Sequence, residues 1–231
     1  KFDNLKNILK RRQYTWLITG VAGFIGSNIL EELLILNQRI IGIDNFSTGN
    51  LKNLKSVEKV IGKTKWKKFK FIKGDISNLQ DCNKAIKGVD IILHQAARGS
   101  IPRSTKDPIS TNNDNLTGFL NMLTLAKNYK VKAFVYASSS SVYGDSKTLP
   151  KIENRVGNVI SNYALTKKMN EEYARLFFQL YDFKTIGLRY FNVFGQRQNP
   201  HGDYAAVIPK WINNVKRNQN IVIFGDGKTS R

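Results

Sequence analysis

Over the first 190 residues, short apolar runs alternate with segments of helical periodicity, and few folds accept that order. The runs are TWLIT at 15–19, RIIGI at 39–43, KFKFI at 68–72, DIILH at 90–94, KAFVYAS at 132–138 and KTIGLRY at 184–190. Between them, residues 24–36, 117–129 and 163–181 repeat apolar side chains at helical spacing. Strand followed by helix, several times over, implies a parallel sheet covered on both faces, whose strands are apolar throughout. After Tyr190 the pattern changes. Glycine and proline punctuate the chain, with one helix expected near 205–218 and one strand near 221–224. Residues 1–12 read as a short amphipathic arm.

The first strand runs into TGVAGFIGSN, with Gly20, Gly23 and Gly26 at GxxGxxG spacing. Glycine permits a tight turn at the strand exit, lets a pyrophosphate approach the backbone and lets the next helix pack close, with its N-terminus facing the phosphates. A glycine triplet alone is weak evidence. This one lies between a strand and a helix, the context the motif requires. The second strand ends at Asp44, 18 residues after Gly26. An acid there accepts hydrogen bonds from ribose hydroxyls and repels a 2'-phosphate, so NAD is expected rather than NADP. Asp75 and Ile76 end the third strand, where an adenine could lie. Gln95, Ala96 and Ala97 end the fourth, beside the pyrophosphate and ribose. Ligands of such sheets bind at the carboxyl ends of strands.

The fifth strand exits into four serines, Ser138 to Ser141, and the following helix carries Tyr163 and Lys167 four residues apart, on one face. A nearby cation stabilises a phenolate. The pair alone is unremarkable at helical spacing. With a strand-end hydroxyl it becomes a trio suited to taking a proton from a substrate alcohol while hydride leaves its carbon.

The formal net charge of +20 invites a nucleic-acid reading. The lysines are scattered, however, and no nucleic-acid-binding motif accompanies them, so a solvated basic surface and no specific nucleic-acid partner are expected. A basic protein also favours anionic small molecules such as nucleotides. The single cysteine, Cys82, allows no internal disulfide, and with two histidines it forms no metal-ligand cluster, so no metal is expected. No apolar run approaches the roughly 20 residues of a membrane span, and residues 1–16 lack a signal-peptide core, which reads as a cytoplasmic protein.

Taken together, TGVAGFIG, HQAA, SSSSVYG, YALTK and LRYFNVFG resemble the extended short-chain dehydrogenase/reductases. DNFSTGN, GSIPRSTKDP and GDGKTSR are similar to the nucleotide-sugar 4-epimerases acting on UDP-N-acetylglucosamine and UDP-N-acetylgalactosamine or their uronic acids. The resemblance implies an α/β fold, a Rossmann-like doubly wound parallel sheet. Residues 1–192 would form the NAD-binding domain, led by the 1–12 arm, and residues 193–231 the start of a substrate lobe that is cut short. It implies Tyr163 as catalytic base and acid, Lys167 lowering its pKa and holding the nicotinamide ribose, and Ser139 as the hydroxyl partner. Cofactor positions would be Gly20, Gly23, Phe24, Ile25, Gly26, Asp44, Asn45, Ser47, Gly49, Asp75, Ile76, Gln95, Ala97 and Asn115, besides Tyr163 and Lys167. Ser100, Arg103, Ser140, Ser141, Asn192, Ala206, Val207, Lys210, Trp211 and Arg231 would hold the sugar and the UDP. The implied activity is an isomerase of nucleotide-sugar and polysaccharide biosynthesis, turning over its substrate through a transient 4-keto sugar. A homodimer through the helices at 107–129 and 161–181 is also implied. Leu116, Phe119, Leu120 and Leu123 suit such a bundle or packing on the sheet equally. The competing expectation is a catalytically idle module, truncated, that binds NAD or nucleic acid.

Overall fold

The computed structural model describes residues 2–200, 207–223 and 225–228. Six strands form one all-parallel sheet: β1 (Thr15–Thr19), β2 (Arg39–Asp44), β3 (Phe69–Lys73), β4 (Ile91–His94), β5 (Ala133–Ser139) and β6 (Thr185–Tyr190), in the spatial order β3-β2-β1-β4-β5-β6. The register pairs Ile18 with Gly42 on one side and with Leu93 on the other. The ten described helices are α1 (Phe2–Arg11), α2 (Phe24–Ile35), α3 (Leu51–Ile61), α4 (Lys63–Trp66), α5 (Leu79–Ile86), α6 (Ile101–Lys106), α7 (Pro108–Asn112), α8 (Gly118–Asn128), α9 (Asn162–Tyr181) and α10 (Val207–Lys216). A wide π-type stretch, Asn113–Thr117, joins α7 to α8, and a 3-10 turn, Ser140–Tyr143, follows β5.

Two apolar clusters hold the layers. Leu17, Ile92, Phe119, Met122, Leu123, Phe134 and Phe177 pack one face, and Ile18, Leu30, Leu34, Ile40, Leu54 and Val57 the other. Phe119 and Leu123 are therefore committed to the sheet. Ser161 caps α9 by accepting from the Ala164 N–H, which fixes where that helix starts relative to Tyr163.

The expectation of uniformly buried strands holds in the centre of the sheet and fails at its edges. Ile186 and Leu188 of β6 are exposed, and β3 turns Lys70 and Lys73 to solvent. Lysine on an edge strand discourages pairing with another chain. The strand expected near 221–224 does not form over residues 221–223. Ile221, Val222 and Ile223 are exposed, and the backbone there bonds to side chains instead. Trp211 Nε1 donates to the Val222 carbonyl and Asn214 Nδ2 to that of Asn220. Apolar β-branched residues make a strand only where a second backbone supplies the ladder.

Candidate active site

The strand order sets the expected site residues along one edge of the sheet. Asp75 follows β3, Asp44 ends β2, Gly20 leaves β1, Gln95 to Ala97 leave β4, Ser139 ends β5 and Asn192 lies just past β6. A cleft of about 410 Å3 opens across the first four of these exits. Gly20, Gly23, Phe24, Ile25, Gly26, Asp44, Asn45, Ser47, Asp75, Ile76, Gln95 and Ala97 all line it. Ala96, expected there with Gln95 and Ala97, lines it as well, and so do Ile43, Thr48, Gly74, Gly99, Asp114 and Gln198, which sequence reasoning did not assign.

The turn at the mouth of α2 has room for glycine alone. Gly20 has φ +69°, and a Cβ there would lie 2.8 Å from the Ala96 Cα. A Cβ on Gly26 would stand 2.2 Å from the Gly20 carbonyl oxygen. Backbone N–H groups at a helix start, approached without side chains, fit the phosphates of a dinucleotide. Across the cleft, Asp44 is buried. Its Oδ2 accepts from the Ala22 N–H at 2.9 Å and its Oδ1 from the Phe46 N–H at 2.8 Å. Burial raises the Asp44 carboxyl above its ordinary range, and these two backbone bonds partly offset the rise. Gly49 packs against the same carboxylate, where a Cβ would come 2.8 Å from Oδ1.

Asp75 accepts from Ser77 and from Asn45 Nδ2, the latter at 2.7 Å. Burial pushes its carboxyl up, but the Ser77 and Asn45 bonds and the Arg98 charge outweigh that and leave it below the ordinary value. Asn115 does not line the cleft. Its Oδ1 accepts from the Arg98 N–H at 2.6 Å, and its Nδ2 donates to Thr166 Oγ1 at 3.2 Å, tying the β4 exit to α9.

Beside the cleft, β5 and α9 bring the serines, Tyr163 and Lys167 together. Ser139 Oγ accepts from Ser141 Oγ at 2.8 Å and from the Ser141 N–H at 3.1 Å. Burial raises the Tyr163 phenol, and a hydrogen bond with the Ser139 side chain lowers it in part. Lys167 is 2% exposed, and its Nζ donates to the Ala137 carbonyl at 2.8 Å. Burial brings its ammonium down to about 8. The shift of the Tyr163 phenol thus comes from burial and from Ser139. The ammonium spends its bond on β5, and burial of the phenol wins.

Behind these groups, Glu171 joins strand to helix. Ser138 Oγ donates to its Oε1 at 2.5 Å, and Arg189 of β6 clamps both oxygens at 2.9 and 2.7 Å. The sequence marked the serines but gave no sign of this clamp, because its members lie 18 and 33 residues from Glu171.

The expected substrate residues divide. Ser140 and Ser141 sit in the 3-10 turn beside Ser139. Ser100 has φ 132° and caps α6, its Oγ accepting from the Arg103 N–H at 3.3 Å. Val207, Lys210 and Trp211 lie on α10. None of these residues, nor Asn192, lines the cleft. Ala206 and Arg231 lie outside the described residues.

Known proteins share this fold. Residues 16–231 match the family described as "NAD dependent epimerase/dehydratase family". A putative UDP-glucose 4-epimerase of Methanocaldococcus jannaschii is 38% identical over 218 residues, 93% of this chain and 67% of that protein. UDP-N-acetylglucosamine 4-epimerase from Methanobrevibacter ruminantium M1, solved in complex with UDP-N-acetylmuramic acid, superposes with TM-score 0.86 at 34% identity, over 94% of this chain and 67% of that one. A Thermus thermophilus UDP-glucose 4-epimerase solved with NAD gives TM-score 0.77 at 32% identity, over 89% of this chain and 63% of that one. The chain thus spans about two thirds of the length of the relatives it matches.

Proposed function

The chain belongs to the NAD-dependent epimerase/dehydratase family, and on that premise we propose that it serves a cytoplasmic, NAD-dependent UDP-sugar 4-epimerase, acting on UDP-N-acetylglucosamine and UDP-N-acetylgalactosamine or their uronic acids. The observation that carries the reading is the side-by-side placement of the glycine-lined cleft and the Ser139–Tyr163–Lys167 group on one sheet edge. A module that only binds a dinucleotide has no physical need of the second half. The curated and solved relatives named for UDP-glucose, UDP-N-acetylglucosamine and UDP-glucuronate epimerases support a UDP-sugar.

In this reading the α2 turn would bind the pyrophosphate, Asp44 would take the adenosine ribose hydroxyls, and the Asn45–Asp75 pair and Ile76 would border the adenine. NAD, when bound, supplies the hydride acceptor and donor. Tyr163, as a phenolate, would accept the proton of the sugar 4-hydroxyl as that carbon is oxidised, and would return it when hydride comes back to the opposite face; the Lys167 ammonium and the positive charge that NAD brings would offset the burial that raises the phenol. Ser139, oriented by Ser141, holds the same oxygen. Lys167, already stripped of water, holds charge where a ribose hydroxyl and the phenol both meet it. Removing and then returning the proton and the hydride in one site would leave the substrate at its starting oxidation level after each cycle, so no external reductant would be consumed.

Residues 193–231 open the substrate lobe, and exposed Ile109 of α7 with Leu165, Met169 and Leu176 of α9 suit a homodimer face. The test is chromatography of UDP-N-acetylglucosamine incubated with the chain and no added reductant. UDP-N-acetylgalactosamine is expected from the wild type and none from Tyr163→Phe. Product from both, or from neither on any of the three sugars named, overturns the assignment.

A further inference from the structure

Past β6 the chain lies against the helix that forms the cleft, and a single arginine fastens it there. Arg197, at φ 64°, has a side chain only 7% exposed. Its Nε donates to Ser27 Oγ at 3.1 Å, one Nη to Glu31 Oε2 at 2.7 Å and the other Nη to Asn28 Oδ1 at 2.7 Å. Asn28 Nδ2 returns a bond to the Gln196 carbonyl at 3.0 Å. Gly195 sits close enough to Phe24 that a Cβ would meet the ring at 3.4 Å. Residues 195–197 are thereby bound along the first two turns of α2. Arg197 is not placed as a phosphate ligand, because Glu31 neutralises it and its donors are engaged on the helix.

The next residue reaches the cleft itself. Gln198 lines it, its Nε2 donates to the Val193 carbonyl at 3.3 Å, and its Oε1 is buried with no donor among the described residues. Gln95, leaving β4, brings to the same cleft a second buried acceptor without a donor among the described residues. Buried polar atoms are almost always paired, so two unpaired acceptors in one cleft point to a ligand rich in donors. Ribose hydroxyls and a carboxamide N–H are such donors.

We propose that residues 193–198 form a strap over the dinucleotide, in which Gln198 accepts a hydrogen bond from the bound cofactor and Arg197, through Ser27, Asn28 and Glu31, positions the strap and slows cofactor release. The proposal rests on the cofactor reading above. It adds a device for retaining a cofactor that each turnover regenerates. It also links the α2 turn to the segment that follows Asn192.

Release of NADH from the purified chain, chased with excess NAD and followed by nucleotide fluorescence, tests it without any turnover. Arg197→Ala is expected to release at least tenfold faster than wild type, Arg197→Lys to fall between the two, and Gln198→Ala to release severalfold faster with the strap's fastening intact. Thermal midpoints are recorded in parallel, since an arginine serving stability alone would shift the midpoint and leave release well below it unchanged. Wild-type release rates in Arg197→Ala and Gln198→Ala overturn the strap. If Arg197→Ala does not fold, Arg197→Lys and Gln198→Ala decide by the same criterion. A wild type that binds no NADH overturns the cofactor reading itself, and the strap with it.

Discussion

Replacing Lys167 by Met is expected to stabilise the ligand-free fold while removing function. The two side chains have similar length and volume, so the change chiefly deletes a buried charge. Burial brings the ammonium from its ordinary 10.5 to about 8, which at 1.36 kcal/mol per pH unit amounts to about 3 kcal/mol of penalty on the protonated folded state. Deleting the side chain also strips the Ala137 carbonyl of its donor, a loss of about 1 kcal/mol. The net gain at pH 7 is about 2 kcal/mol. Its pH dependence has a definite sign. Below pH 8 folded and unfolded chains both carry the proton, and the wild type bears the whole penalty. Between pH 8 and 10.5 the unfolded chain keeps its proton and the folded one has lost it, so wild-type stability rises by about 1.4 kcal/mol per pH unit. The gap between variant and wild type therefore closes over that window, and the variant becomes the less stable at its upper end. Urea denaturation of both proteins, read by tryptophan fluorescence at pH 7, 9 and 10, measures the difference free of other titrating groups. A variant no more stable than wild type at pH 7, or a gap that stays constant with pH, refutes the reasoning.

Gly26→Ala drives a Cβ to 2.2 Å from the Gly20 carbonyl oxygen, so the turn must open at a cost of about 3 kcal/mol. Dinucleotide affinity, read by titration calorimetry, is expected to fall with it. Glu171→Gln removes the charge from a carboxylate that accepts from Ser138 and twice from Arg189, and should lose about 2 kcal/mol in denaturant unfolding. It should lower kcat more than affinity for NADH, because the pair anchors the β5 exit, away from the cleft.

The sequence carried the fold further than the site. Alternating apolar runs placed all six strands to within a residue or so, because the strands of a parallel sheet are mostly apolar whether central or at its edge. The glycine turn and Asp44 were legible for a similar reason: backbone crowding at Gly26 and a buried carboxylate between two N–H groups tolerate few alternatives. Burial of β6 was not legible, since an apolar run reads the same whether or not something covers it. The 221–224 strand failed on the same ground, for β-propensity cannot say whether a partner strand is present. Lys167 was found but its bond was not, because i, i+4 spacing puts it on the face of Tyr163 without revealing its bond to the Ala137 carbonyl. Arg197 and Gln198 were invisible as a device. Their partners Ser27 and Glu31 lie 170 and 166 residues from Arg197, and only the folded chain brings them together.

In the proposed reaction a proton and a hydride leave and return within one site. The direct test is to supply UDP-N-acetylglucosamine carrying deuterium at C4 to the chain in ordinary water, with no added nucleotide, and to read the product by mass spectrometry. UDP-N-acetylgalactosamine that keeps its deuterium is expected. Product whose C4 hydrogen has come from solvent would contradict the proposed reaction.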